Sequence, residues 1–216
     1  MHFSYTLTMA RIETKYLQKI RRWYVGGLSV REVAERLKVT IHAMFYFMRY
    51  HKVPRRNHSA QNVAWFARKP LSFALKSKLS PKECELKVVG TILYWGEGHK
   101  APGASGIDFT NSDPHMIVNF VLFLRRICGV TESRLRILLY CYSNQKPSKL
   151  IAYWSNLLNV PKVQFSKPYV RDDFRIDKIS KMPYGLVHVR YADKKLLDLL
   201  RQWIEEIKNK YASVVP

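Results

Sequence analysis

The run Gly27-Leu28-Ser29-Val30-Arg31-Glu32-Val33-Ala34-Glu35-Arg36-Leu37-Lys38-Val39-Thr40 constrains the fold more tightly than any other part of this chain. Ser29 and Glu32 have the Ser-x-x-Glu spacing of a capping box, in which two backbone N–H groups left over by the first helical turn are satisfied reciprocally. Val33, Ala34 and Leu37 then share one face of a short helix, and Ala34 is small enough for a second helix to cross closely. Lys38-Val39 makes a tight turn with Val39 tucked inward, and Thr40 caps a further helix over 41–50. A helix over 12–25, stopped at Gly26-Gly27, precedes both, so residues 10–56 read as a three-helix domain. A capped helix, a short turn and a second capped helix is the arrangement that lays its second helix in a major groove. The same spacing suits an ordinary helical hairpin, but the third helix and the charge favour the groove reader.

The charge is extreme, at +21 over 216 residues, and it is uneven. Residues 1–80 hold 16 Lys and Arg against 3 Glu, a net +13, whereas residues 81–216 hold 21 against 13, a net +8. A basic module of that density is the footprint of a polyanion binder, because each phosphate it neutralises releases condensed counterions. Charge alone leaves RNA open. The length allows one large domain or two small ones with proper cores. Cys84, Cys128 and Cys141 are far apart, with no Cys-x-x-Cys pair, so a structural zinc is not expected and a reducing compartment suits them. No basic stretch followed by a long apolar run opens the chain, and no apolar stretch is long enough to span a bilayer. The expectation is a cytoplasmic, nucleoid-associated protein without a membrane partner.

Within the second helix of the motif, helical spacing turns Met44, Phe47 and Met48 inward. Ile41, His42, Ala43 and Tyr46 then face the groove behind the cap at Thr40, and Arg49 faces phosphate. Ala43 is placed to touch thymine methyls, and His42 or Tyr46 to hydrogen-bond base edges. No Arg, Asn or Gln occupies an early position, so bidentate readout from this helix is poor. Part of the readout is expected from Arg55 and Arg56, which project after Pro54 while Val53 folds back, or from strands of a second domain.

Residues 57–80, with Trp65-Phe66 and Lys69-Pro70, read as a connector. A second domain over 81–211 opens with Ser80 as cap, Pro81 at the first helical position and Glu83 three residues after the cap. Its helix is expected to about 94, ending in Gly96-Glu97-Gly98. A strand over 106–110, a helix begun by Asp113-Pro114 and stopped by Gly129, a strand over 135–142 and a helix over 148–158 follow. A short strand over 163–165, a strand over 186–191 and a final helix from Asp193 to about 209 complete the set. Gly106-strand-Asp113-helix echoes Gly185-strand-Asp193-helix. Residues 166–183, with Lys167, Arg171, Arg175, Lys178 and Lys181, read as a basic loop or irregular strand pair. Trp154 and Trp203 are expected in the core, and Ser143-Asn144-Gln145-Lys146 forms a polar loop that reads bases or merely turns the chain.

The Gly-Leu-Ser-x-x-Glu-Val-Ala-x-x-Leu-x-Val-Thr pattern at 27–40 is similar to the helix-turn-helix of resolvase-type recombinases and many bacterial regulators. Gly90-Thr91-Ile92-Leu93-Tyr94-Trp95-Gly96-Glu97-Gly98 resembles the LAGLIDADG motif of homing endonucleases in its Gly-Glu-Gly form, and the resemblance covers roughly residues 82–209. It departs from that motif where small residues give way to Thr91 and Ile92, and where Trp95 replaces an acid. The resemblance implies an α+β chain: an N-terminal three-helix helix-turn-helix followed by a LAGLIDADG-like αββαββα mixed domain. It also implies a saddle of strands on duplex DNA and a homodimer packed through the motif helix. The function expected is sequence-specific duplex DNA binding in transcription regulation, with no cofactor. The alternative is a homing endonuclease making a magnesium-dependent double-strand cut, with Glu97 from each of two subunits as metal-binding catalytic acid.

Overall fold

The computed structural model describes residues 12–172 and 182–212, and the chain divides into two compact units between Pro70 and Leu71. In the first, a 3-10 turn, Thr14–Tyr16, leads into α1 (Leu17–Val25). The helix expected from residue 12 therefore starts later, at a point where no side chain caps it. Gly27 ends it with φ +97°, a conformation open to glycine because it lacks Cβ.

Ser29 then starts α2 (Val30–Arg36): its Oγ accepts the Glu32 N–H at 3.2 Å, and the Glu32 carboxylate accepts the Ser29 N–H at 2.6 Å. Lys38 turns the chain with φ +55°. Thr40 caps α3 (Ile41–Tyr50) by accepting the Ala43 N–H on Oγ1 at 3.1 Å. The apolar faces so aligned meet in one core of Ile20, Tyr24, Val33, Ala34, Val39, Met44, Phe47, Met48 and Val53. Every side chain that spacing turned inward on α3 is in it.

The stretch read as a connector holds a helix. Asn57 Oδ1 accepts the Ala60 N–H at 2.8 Å and starts α4 (His58–Arg68), which belongs to the first unit. Arg68 clamps it there, with both oxygens of Glu32 at 3.0 Å. None of the α4 side chains is buried.

The second unit opens on α5 (Pro81–Glu97), where the Ser80 N–H and hydroxyl both donate to the Glu83 carboxylate. The helix runs a turn beyond 94, so Glu97 is its last residue. There follow β1 (Ile107–Asn111), α6 (Pro114–Arg126), β2 (Leu135–Tyr142), α7 (Pro147–Leu158), β3 (Tyr169–Arg171), β4 (Leu186–Tyr191) and α8 (Lys194–Tyr211). The strands form one mixed sheet in the order β1-β4-β2-β3, parallel only between β2 and β3. Helices pack on the face carrying Ile107, Phe109, Ile137, Leu139, Val187, Val189 and Tyr191, giving an α+β unit with Trp154 and Trp203 in its core.

Two expectations differ from this. Residues 163–165 are not a strand: Pro161 leads into a 3-10 turn, Lys162–Gln164, with a single bridge from Phe165 to Ile137. Gln164 is drawn inward, donating to the carbonyls of Glu132 and Leu135 at 2.7 and 2.9 Å. Second, one strand rather than two separates α5 from α6, so the order of elements is αβαβαββα and not αββαββα. The missing strand survives as a bridge between Gly98 and Phe109 and the bond from His99 N–H to Asp108 O. His99-Lys100-Ala101-Pro102-Gly103-Ala104-Ser105-Gly106 has no alternating apolar side chains to hold a longer ladder. Of the basic stretch 166–183, Lys167 and Arg171 are described; Arg175, Lys178 and Lys181 lie outside the described residues.

The sequence echo has a structural counterpart. β1 and β4 are antiparallel neighbours. Asp113 Oδ1 accepts the His115 N–H at 2.7 Å, and Asp193 Oδ1 accepts the N–H groups of Lys195 and Leu196 at 2.8 and 3.2 Å.

Candidate nucleic-acid interface

With Met44, Phe47 and Met48 committed to the core, the outer face of α3 carries His42, Tyr46 and Arg49, flanked by Ile41 and Ala43. Tyr46 is 63% exposed and its ring stacks on Tyr50 one turn on, at 6.4 Å between centroids. A groove of about 720 Å³ runs beside this face, lined by α3 and residues 52–55. Its floor is Phe45, Met48, Val53 and Pro54; Arg49, Lys52 and Arg55 supply its cations. Thr40, half-buried, spends its hydroxyl on the helix cap.

Arg55 and Arg56 part company. Arg55 is exposed and lays its guanidinium over the Phe45 ring at 4.5 Å. Arg56 does not project as expected. It folds back over the Tyr24 ring at 4.2 Å, donates its guanidinium to the Leu28 carbonyl, and donates its backbone N–H to the Tyr24 hydroxyl at 2.9 Å. Its work is to tie the segment after Pro54 to α1, a role no local pattern in the sequence marks.

In the second unit, the sheet face opposite the helices carries Asp108 and Thr110 from β1, His188 and Arg190 from β4, and Arg136, Leu138 and Tyr140 from β2. Cross-strand register puts Asp108 beside Arg190 and Thr110 beside His188. One carboxylate joins them: Asp108 Oδ1 lies 2.8 Å from His188 Nδ1, and Oδ2 accepts from Arg190 Nε at 2.8 Å. Thr110 Oγ1 is 2.9 Å from the same His188 nitrogen, and the Tyr140 ring lies against that imidazole at 4.8 Å. These residues were not singled out from the sequence. The signal was present, since each is the non-core partner in a strand alternating with period two. The chain matches no family model, no curated protein and no solved structure.

Burial of Asp108 opposes its ionisation, but the hydrogen bond to His188 and the charges of His188 and Arg190 outweigh it and hold the carboxyl below its ordinary range. A carboxyl whose pKa is lower folded than unfolded adds stability above the unfolded value, near 3.9, and that increment is lost as pH falls through the folded one. Urea midpoints measured from pH 5 down to about 2.5 are therefore expected to drop more steeply for the wild-type chain than for Asp108→Asn. Parallel curves would remove the carboxylate from the acid response.

Glu97, exposed at the end of α5, stands beyond a stripe of exposed apolar side chains, Val88, Val89, Ile92 and Trp95. Gly90 and Thr91 of the motif face the other way. Gly90 lies against Phe123, and Thr91 is buried with its hydroxyl donating to the Lys87 carbonyl at 2.7 Å. Lys100 turns its ammonium to the Gly98 carbonyl at 2.6 Å. Among the described residues no group of three or more His, Cys, Asp or Glu is arranged to hold a metal. One exposed carboxylate is a partial donor set for magnesium, so within a single chain the residues described do not fit that ion. Gln145 is structural: its Oε1 accepts the Tyr142 N–H at 2.9 Å and its Nε2 donates to the Met182 carbonyl at 2.8 Å. No helix among the described residues is long and apolar enough to cross a membrane.

Proposed function

We propose that this chain is a sequence-specific duplex DNA-binding protein, acting in transcription regulation, that combines a helix-turn-helix with a LAGLIDADG-like DNA-binding domain. The observation carrying this reading is the outer face of α3, where His42, Tyr46 and Arg49 are exposed beside a groove with basic walls. A helix so capped and backed presents one face to a major groove, and Arg49, Lys52 and Arg55 then meet phosphates. The second support is the open sheet face, whose Arg136, Arg190 and His188 suit the role that the LAGLIDADG resemblance implies for the strands.

A homodimer is part of the proposal. The stripe Val88, Val89, Ile92 and Trp95 supports it, because a second copy of α5 would cover that apolar face. Ile92→Arg is expected to halve the mass seen by light scattering and to weaken binding to two-half-site duplexes by at least about tenfold, as avidity between the halves is lost.

The endonuclease reading rests on Glu97, an exposed carboxylate on the last residue of α5, the helix through which the proposed dimer would pair. The deciding experiment is to capture fragmented genomic DNA on purified protein, with and without magnesium, and sequence both retained fragments and new ends. A shared motif without new ends is the expected result. Defined ends that vanish in Glu97→Gln would establish the nuclease, and fragments without any shared motif would overturn sequence-specific binding.

A further inference from the structure

We propose that α3 reads thymine through its 5-methyl group: Ile41, Ala43 and Tyr46 make apolar contacts to a thymine-rich half-site in the major groove. The inference rests on the duplex DNA reading above and specifies what its recognition helix recognises. The major-groove edges of the four base pairs present several hydrogen-bonding groups but one apolar group, the C5 methyl of thymine. Discrimination through hydrogen bonds relies mainly on Arg, Lys, Asn and Gln, and residues 41–48 contain none of these. The first such side chain on the helix, Arg49, comes after two full turns and lines the basic edge of the groove.

The structure narrows the readers further. Met44, Phe47 and Met48 are buried beneath the helix. The Phe45 ring is covered by the Arg55 guanidinium at 4.5 Å. What remains on the outer half of the first two turns is His42, one imidazole able to bond one base edge, with Ile41, Ala43 and Tyr46 around it. The exposed Tyr46 ring lies within 18° of parallel to that of Tyr50, one turn on, at 6.4 Å. An exposed aromatic ring on a face flanked by Ile41 and Ala43 is a surface for methyl groups, and apart from its hydroxyl and the His42 imidazole this face offers little to the polar edge of a G·C pair. Charge complementarity names the occupant's backbone. Residues 12–70 carry thirteen Lys and Arg against three Glu, and Arg49, Lys52 and Arg55 border this very groove. Duplex RNA fails both criteria, having a deep, narrow major groove and uracil in place of thymine.

The test alters the DNA and leaves the protein untouched. High-affinity duplexes are selected from a random pool, and the selected site is then resynthesised with deoxyuridine for thymidine, first within the site and then only in its flanks. Each contacted methyl lost is expected to weaken binding about fourfold, the worth of one buried methyl-sized group. Flank substitution is expected to change nothing. A 5-methylcytosine pair at a contacted position is expected to recover part of the loss. In Tyr46→Ser the thymine site binds more weakly and responds less to uracil, which links the methyl to the ring. Equal affinity of wild-type protein for thymine and uracil sites would overturn the inference while leaving DNA binding intact. Failure to enrich any duplex from the pool would overturn the DNA reading itself, and this inference with it.

Discussion

Raising salt from 50 to 200 mM is expected to weaken duplex binding by about 10³- to 10⁵-fold, the loss for about 6–10 phosphate contacts. The number of contacts follows from how charge is distributed on the first unit. Arg31, Lys38, Arg49, Lys52 and Arg55 are all exposed on or beside α2 and α3. Two of the three acids described there are occupied, Glu13 with Lys15 at 2.8 Å and Glu32 with Arg68 at 3.0 Å. The proposed second module adds Arg136, while Arg190 is already paired with Asp108 at 2.8 Å. Fluorescence anisotropy on a labelled duplex, taken across salt concentrations, should give a logarithmic slope of about −5 to −9. Arg49→Ala or Lys52→Ala should each make it shallower by about one while weakening all sequences alike. A slope close to zero would mean that phosphate contacts do not carry the affinity, and the proposed function would fail with it.

Gly90→Ala is expected to destabilise the second unit by about 2 kcal/mol, against the sign that helix propensity gives. Alanine in a helix interior is ordinarily about 1 kcal/mol better than glycine. Here a Cβ on residue 90 would stand 2.1 Å from Phe123 Cγ and 2.6 Å from Phe123 Cβ. Phe123 has no room to yield: it is fully buried, with the Phe120 ring at 5.8 Å and the Trp203 ring at 6.1 Å. Relieving the overlap means separating α5 from α6, an overpacking cost of about 3 kcal/mol that outweighs the gain. Gly96 supplies the control on the same helix, because its Cβ would meet nothing within 4 Å. Gly96→Ala should therefore be neutral or slightly stabilising. Thermal or urea unfolding of the two variants checks the pair, and a stable Gly90→Ala chain would show that α5 and α6 do not pack this closely.

Both glycines belong to the same motif, and the contrast between them shows where reading the sequence stops. The run 90–98 announces a helix with small residues at intervals. It does not say which small residue meets another helix, because α5 has both an inner and an outer face and its apolar residues lie on each. Packing against α6 assigned Gly90 and Thr91 to the inside, and left Val88, Val89, Ile92 and Trp95 outside. Likewise Arg55 and Arg56 are adjacent and chemically identical, yet Tyr24, thirty-two residues away from Arg56, draws one of them in.

The parts legible from the residues alone are those whose cause is local. The capping pair Ser29–Glu32, the caps at Thr40 and Asp193, the α3 side chains buried in the core and the strands 135–142 and 186–191 all follow from interactions within a few residues or from an apolar period. Helix α4 carries a local cap at Asn57, but none of its side chains is buried and its tie to the domain runs through Glu32, outside it, so packing alone shows where it belongs. The second strand that the LAGLIDADG resemblance implied after α5 is absent because strand length depends on side chains that hold a ladder, and Pro102, Gly103 and Gly106 offer none. The Asp108–His188–Arg190 cluster draws on residues eighty positions apart, joined only when β1 and β4 align. Caps and periodicities are short-range and therefore written in consecutive residues. Which face is covered, which arginine turns inward and which carboxylate joins two strands depend on long-range packing, and these came only with the folded chain.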